Sequence, residues 1–353
     1  MIDDVLVIEG VAHQYNFSPD NFVDPHVGPL IAETLYSLHR RTGGPEYTLD
    51  RETYMNGAGP QRIGRALLAE SQTDIICYHE TPIFGQFLDG GSALWVGEEM
   101  RRLWPNRVLT YGAVSPLRPG AVERVDELVD VHEVTALKLY PIDLVEGRVR
   151  GLDMGDPEVC FPVFQRAVER GLRVVAIHKA LPVGPGPVEA LRSADVEAAA
   201  VAFPQLTFEV VHGGMAFVEE TAVQIEAFPN IMVNLEATTN MLRYAPRRFA
   251  EAMGAFLERG GADRMIWATG CNAVHPRPVL EAFWDFEMPE DLVRGHGYPP
   301  LTKEVKADIL GRNFLRMHAM DEAVVRARIA GDEFDTSELA TPWDGMLDAV
   351  TVS

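Results

Sequence analysis

A chain of 353 residues that is 47% hydrophobic is long enough to bury one large core, and 52 acidic against 31 basic residues give it a formal charge of −21. An acidic surface of that size repels phosphate backbones and anionic membranes, and no basic patch interrupts it, which counts against nucleic-acid and membrane partners. Cys77, Cys160 and Cys271 lie too far apart for a disulfide framework or a cysteine-only zinc site; the start MIDDVLVIEG lacks the basic residues of a signal peptide; no apolar run nears membrane-spanning length. A soluble, cytoplasmic protein is expected.

The first apolar run, Val5 to Glu9, reads as a strand broken by Gly10-Val11-Ala12-His13-Gln14. From Asn16 to about Gln72 the chain leaves short β-α spacing, with helices expected near Pro29–Arg41 and Arg62–Ser71. A stretch this long (about 16–72) reads as an insertion over a pocket mouth. Its aromatics Phe17, Phe22, Tyr36 and Tyr54, with Tyr15 before them, are candidates for a lid. Strands follow at Asp74–Tyr78, Val108–Val114, Ala136–Tyr140, Leu172–His178, Leu206–Val211, Ile231–Leu235 and Met265–Ala268. Helices are expected between them at Glu98–Leu103, Val159–Arg170, Ser193–Phe203, Phe217–Phe228 and Arg247–Arg259. Three more follow at Pro276–Trp284, Thr302–Met317 and Glu322–Ile329. Strands that are apolar throughout and alternate with helices are parallel and buried on both faces. Eight of them fit an α/β fold of the closed (β/α)8 TIM-barrel type better than an open sheet. The expected organisation is one barrel domain over residues 1–330 and an acidic C-terminal tail over 331–353.

In such a barrel the side chains at the carboxyl ends of the strands face the ligand-binding mouth. Two consecutive strands end on histidine, at His178 and His212, and therefore share it. His13, His79 and His275 also fall at or just beyond strand ends. Imidazole serves equally as a metal ligand and as an acid or base near neutral pH. Glu9 and Glu236, at the ends of strands one and seven, are carboxylates able to orient a histidine, hold a metal or move a proton. Lys138 lies inside an apolar run, where burial makes its amine reactive. Lys179, pointing the other way from His178, reads as structural. No P-loop, GxGxxG or GxSxG pattern occurs, which counts against nucleotide, dinucleotide and serine-hydrolase chemistry.

Strand one with His13, Ala176-Ile177-His178, Val211-His212-Gly213-Gly214-Met215 and Ile309-Leu310-Gly311-Arg312-Asn313 together resemble the amidohydrolase superfamily. The likeness is to the branch that contains aminocarboxymuconate semialdehyde and resorcylate-type decarboxylases. It implies a divalent metal, zinc by preference, held by His13, His178 and Glu9, with His212 moving protons. The sequence departs from the pattern at two ligand positions, where Val11 and Gly270 stand for a histidine and an aspartate. The reading that follows is hydrolysis or non-oxidative decarboxylation of a small cyclic or aromatic carboxylic acid. His212, Glu236 and Lys138 are its catalytic residues, and His79, His275 and Cys271 line the substrate. Without a metal, His212 and Glu236 act as acid and base while Lys138 meets developing negative charge. The absent ligands motivate an alternative, a barrel without catalysis that serves as a binding or assembly partner of another enzyme. A homodimer is implied by the resemblance alone.

Overall fold

The structure, a computed structural model, describes residues 1–344 apart from 84, 183 and 185. Ten strands follow one another: β1 (Ile8–Ala12), β2 (Ile75–His79), β3 (Val108–Ala113), β4 (Ala136–Leu139), β5 (Ile142–Val145), β6 (Arg148–Gly151), β7 (Val174–His178), β8 (Thr207–Val211), β9 (Ile231–Asn234) and β10 (Met265–Ile266). Eight of them form one parallel sheet in the order β1-β2-β3-β4-β7-β8-β9-β10, while β5 and β6 form a separate antiparallel hairpin. The sheet closes on itself through backbone bonds that continue beyond the two residues of β10. Gly10 N donates to Trp267 O at 3.0 Å and Gly270 N to Val11 O at 3.1 Å. Gly10 permits this approach, because a Cβ there would lie 2.6 Å from the Trp267 carbonyl oxygen. The result is the TIM barrel expected from the strand pattern.

Alternation along the strands divides the core in two. Val11, Cys77, Tyr111, Ala136, Ala176, Val211 and Ile266 fill the barrel interior. Val175, Ile177, Phe208, Val210 and Val233 point outward and pack against helices through Phe164, Phe203 and Phe256. Each such apolar side chain contributes roughly 1.5–3 kcal/mol by leaving water. The Ile309–Asn313 motif closes the end of the barrel remote from the mouth. Gly311 sits directly on the Leu6 carbonyl, and the Asn313 amide donates to Ala262 O and Met265 O, both at 2.8 Å.

The segment between β1 and β2 carries three helices, α1 (Val27–Gly43), α2 (Arg51–Asn56) and α3 (Pro60–Leu68). The start of α1 is fixed by Asp24, whose carboxylate accepts from His26 N at 2.7 Å and Val27 N at 3.0 Å. The helix ends where Gly44 turns to φ +75°.

Three features depart from the sequence reading. The β5–β6 hairpin was not expected; the Glu146-Gly147 turn, with φ +51° and +73°, joins two short strands, of which β6 is wholly exposed and so lacks apolar alternation. Helices at Arg51–Asn56, Ala121–Asp130 and Met241–Tyr244 were likewise unassigned. The acidic tail also does more than lie on the surface. Ala340 N donates to Ala69 O at 2.8 Å, and the buried Trp343 indole donates to Tyr47 O at 2.8 Å. Residues 345–353 of the expected tail lie outside the described residues.

Candidate active site

A cavity of about 340 Å³ opens at the carboxyl ends of the strands. Its floor and one wall are His13, Lys138, Tyr140, His178, His212 and Glu236; α1 covers it with Leu30, Ile31, Leu35, Leu38 and Arg41. The α1 side chains that line the cavity are thus mainly aliphatic, where aromatics were expected. Of the five aromatics only Tyr15 lines the cavity, while Phe17 stacks behind it at 5.0 Å and Tyr54 is buried farther back.

His178 and His212, at the ends of β7 and β8, meet as their strand positions require, with His212 Nε2 3.0 Å from His178 Nδ1. His178 Nε2 lies 2.6 Å from the Leu181 carbonyl. A carbonyl only accepts, so this nitrogen carries the proton and Nδ1 of a neutral His178 presents its lone pair. His212 must then donate from Nε2, which leaves its Nδ1 facing Oε2 of Glu236 in direct contact. Those two atoms can share only one proton, carried by a carboxylic acid or by an imidazolium. Burial pushes the Glu236 carboxyl up to about 7, against the smaller opposing pull of His13 and Lys138. Burial, aided by Lys138, holds His212 well below the usual imidazole range. Near neutral pH the proton therefore belongs mainly to Glu236, at the head of a Glu236–His212–His178–Leu181 chain.

Asn234 sets that chain on its strand. Its side-chain oxygen accepts from Glu236 N at 2.9 Å, and its amide donates to Glu209 in the layer beneath. His13 stands across the mouth. Its Nδ1 is 3.0 Å from the His79 carbonyl and 3.0 Å from Thr81 Oγ1. Donation to the carbonyl leaves Nε2 as a lone pair with no partner among the described residues, and burial lowers the ring to about 4, so it is neutral. Lys138 is buried, its amine 5.6 Å from the Tyr140 ring centre.

The sequence-predicted residues thus divide. His13, Lys138, His178, His212 and Glu236 share the cavity. The expected substrate contacts of His79, His275 and Cys271 are not matched. His79 stacks on Tyr111 at 4.3 Å below the mouth, His275 is 3.1 Å from Glu70 under Trp343, and Cys271 is packed in the apolar cluster behind Tyr15. Tyr140 and Glu209 were missed although both left a signal. Tyr140 follows Lys138 by two residues, hence shares its face, and Glu209 is a carboxylate inside an apolar run. Arg41, stacked over Tyr244 at 3.9 Å, left none.

The donor set does not fit a divalent metal. Glu9 accepts from Thr269 N at 2.6 Å, from Thr269 Oγ1 at 2.9 Å and from Gly270 N at 3.3 Å, and burial raises its carboxyl to about 8. Both nitrogens of His178 are engaged in the chain just described. Val11 has no donor atom. A side chain at Gly270 has no room, because its Cβ would run into Oε1 of Glu236, and the backbone there has φ +76°. Of these expected ligand positions only His13 keeps a free lone pair, and no group of three or more His, Cys, Asp or Glu among the described residues is arranged to hold an ion.

No curated protein is similar enough in sequence to be matched. Solved structures share the fold. An uncharacterised TIM-barrel protein of Bordetella bronchiseptica aligns with TM-score 0.60 at 15% identity, over 89% of this chain and 99% of its own. A 5-carboxyvanillate decarboxylase of Novosphingobium aromaticivorans, solved with manganese and 3-methoxy-4-hydroxy-5-nitrobenzoic acid, aligns with TM-score 0.57 at 13% identity, over 90% and 98%. An amidohydrolase of Burkholderia multivorans with bound zinc gives 0.55 at 12%, over 90% and 100%. The family profile described as Amidohydrolase matches residues 23–317. That match spans most of the sequence, and the chain accordingly belongs to the amidohydrolase family and is an enzyme of that superfamily.

Proposed function

We propose that this enzyme catalyses the non-oxidative decarboxylation of a small cyclic or aromatic carboxylic acid by proton transfer, without a divalent metal. The observation that carries the reading is the contact between Glu236 and His212, which stores one proton at the edge of a largely apolar cavity. Decarboxylation needs little else. When the bond to the carboxylate carbon breaks, its electron pair stays on the organic fragment and must be met by a positive charge and then by a proton. A positive charge at the Lys138 nitrogen supplies the first and Glu236, held by His212, the second. The apolar walls of Leu30, Ile31, Leu35 and Leu38 suit the body of such an acid. The decarboxylase of Novosphingobium, with its bound benzoic acid, lends the same reading support from fold alone.

A second reading, hydrolysis, is favoured by the free Nε2 of His13, a neutral base able to take a proton from water while Glu236 protonates the leaving group. One experiment tests both. A panel of cyclic and aromatic acids, and of their esters and lactones, is screened for stabilisation of the protein, and binders are assayed for carbon dioxide release and for hydrolysis, with and without chelator. Release that survives chelation and is lost in Glu236→Gln is expected. Turnover that a chelator abolishes and one equivalent of metal restores would overturn the metal-free reading.

A further inference from the structure

The chain contains four lysines, Lys138, Lys179, Lys303 and Lys306, among 31 basic residues. Three are tied off by acceptors. Lys179, in the helix-facing layer, donates to Asp195 at 2.7 Å and Ala190 O at 2.9 Å. Lys306 donates to Trp284 O at 2.7 Å and Phe286 O at 2.6 Å, and Lys303 to Trp284 O at 2.6 Å. Lys138 is as deeply buried as Lys179, yet its amine has no hydrogen-bond acceptor among the described residues and faces the cavity. An ammonium wants three acceptors, and one held without them in an apolar chamber gives up its proton readily. Burial does lower this lysine, against the attraction of Glu209 and Glu236. The neutral amine that results is a nucleophile.

We propose that Lys138 forms an imine with the carbonyl group of a β-oxo carboxylic acid, which narrows the substrate class of the decarboxylase reading to acids carrying a carbonyl one carbon away from the carboxylate-bearing carbon. The inference rests on that reading for its proton donor, though not for its bond to lysine. The amine nitrogen adds to the carbonyl carbon, the Glu236–His212 pair protonates the departing oxygen, and water leaves to give an iminium. The bond to the carboxylate carbon then breaks, carbon dioxide departs, and the electron pair moves to the iminium nitrogen as an enamine. Glu236–His212, reloaded with a proton from solvent, protonates the enamine carbon, and hydrolysis of the resulting iminium by water releases the ketone, the free amine and one proton. The sum is β-oxo carboxylate plus a proton giving ketone plus carbon dioxide, with no oxidant or reductant. Tyr140, beside the amine, and the aliphatic face of α1 exclude water from the iminium.

Acetoacetate, the smallest stable β-oxo acid, is the probe. The full-length protein is incubated with it and reduced with borohydride, and the adduct is located by peptide mass spectrometry. Four lysines and one N-terminus leave little background. The expected result is one reduced adduct per chain on Lys138, absent from Lys138→Met, and formed about tenfold more slowly or worse in Glu236→Gln. Peptide mapping of the unmodified sequence decides the matter even if Lys138→Met fails to fold. No adduct on Lys138, or label spread over Lys303 and the N-terminus alone, would overturn the imine. So would stabilisation by acetoacetate without trapping, which marks Lys138 as a plain ammonium partner for an anion. Carbon dioxide release from another acid without trapping would overturn the imine while leaving the decarboxylase reading standing. Trapping at undiminished rate in Glu236→Gln would support the imine and remove Glu236 from the proton path.

Discussion

The two sides of the barrel mouth use the same residue types for opposite ends. At the β1–β10 seam, Glu9 is enclosed by Thr269 and Gly270, Val11 fills the interior, and every oxygen of the carboxyl is spent on holding two strands together. At the β7–β9 side, Glu236 also lies buried, but its partner is a histidine that passes the contact on to a second histidine and ends at a loop carbonyl. One carboxyl is structural cement, the other a movable proton. The two sides meet at Gly270, where the missing side chain leaves the space that Glu236 occupies. On the proposed reading, the Glu236 carboxylate in place of a side chain at Gly270 makes this a proton-transferring mouth rather than a metal-binding one.

The sharpest way to break the contrast is to disable the proton-bearing side. Glu236→Gln and His212→Asn each keep the shape of the side chain while removing the shared proton. Each is expected to lower turnover of the substrate found by the acid panel by roughly 10²–10⁴-fold, with thermal unfolding little changed. Equal losses in the two single variants and in the double variant would show that they act as one unit. A variant that retains turnover within a few-fold would place catalysis elsewhere.

Next in size is Gly270→Ala. The methyl group would collide with Oε1 of Glu236, and an alanine at φ +76° is strained by roughly 1–3 kcal/mol. Displacing the carboxyl from His212 should cost roughly tenfold or more in turnover, because proton transfer tolerates little misplacement. Steady-state kinetics beside a melting curve separates the two effects. Full activity in a merely destabilised Gly270→Ala would mean that the contact at Gly270 has no bearing on the chemistry.

The pH dependence distinguishes the sides more gently. On the decarboxylase reading Glu236 acts as an acid, so its protonated form is the active one. With the carboxyl raised to about 7 by burial, kcat/KM should be flat in mildly acidic buffer and fall tenfold per pH unit well above 7. A profile that instead rises through neutrality would assign Glu236 the role of base and favour hydrolysis.

Much of this was legible beforehand because barrel strands announce themselves. Apolar runs ending on His178 and His212 fixed the fold and the shared mouth together, since consecutive parallel strands must deliver their ends to one place. Lys138 stood out because a charge inside such a run needs a reason. What stayed hidden depends on contacts distant in sequence. Nothing local distinguishes Glu9 from Glu236; each follows an apolar run, and only the closure of β1 on β10 shows that the first is consumed. His275 and Cys271 looked like mouth residues because they follow strand eight, yet the chain there dives behind Tyr15 toward Glu70 and Trp343. The covering helix α1 was readable near Pro29–Arg41, but which of its faces met the cavity was set by the tertiary docking of Leu30, Leu38 and Arg41.

The smallest expected effect is also the most discriminating for the seam. Burial raises Glu9 to about 8, so near neutral pH it is mainly a neutral carboxylic acid. In glutamine the carbonyl accepts from Thr269 N and Gly270 N, and the amide faces Thr269 Oγ1, whose hydroxyl turns from donor to acceptor. Glu9→Gln should therefore leave turnover within a factor of about three, and stability near pH 4, where Glu9 is mainly neutral in both folded and unfolded chains, within about 1 kcal/mol. The sign of its pH dependence follows from the direction of the shift. A carboxyl whose folded-state pKa is raised from 4.5 to about 8 favours the folded chain fully below 4.5 and loses that contribution as pH rises through 8. The natural chain should thus weaken relative to Glu9→Gln as buffers move from mildly acidic to alkaline, measured by urea unfolding across that window. Were Glu9 instead a metal ligand, the same substitution would strip the ion and cost most of the activity, so a silent variant is the outcome that separates structural cement from an active-site carboxylate.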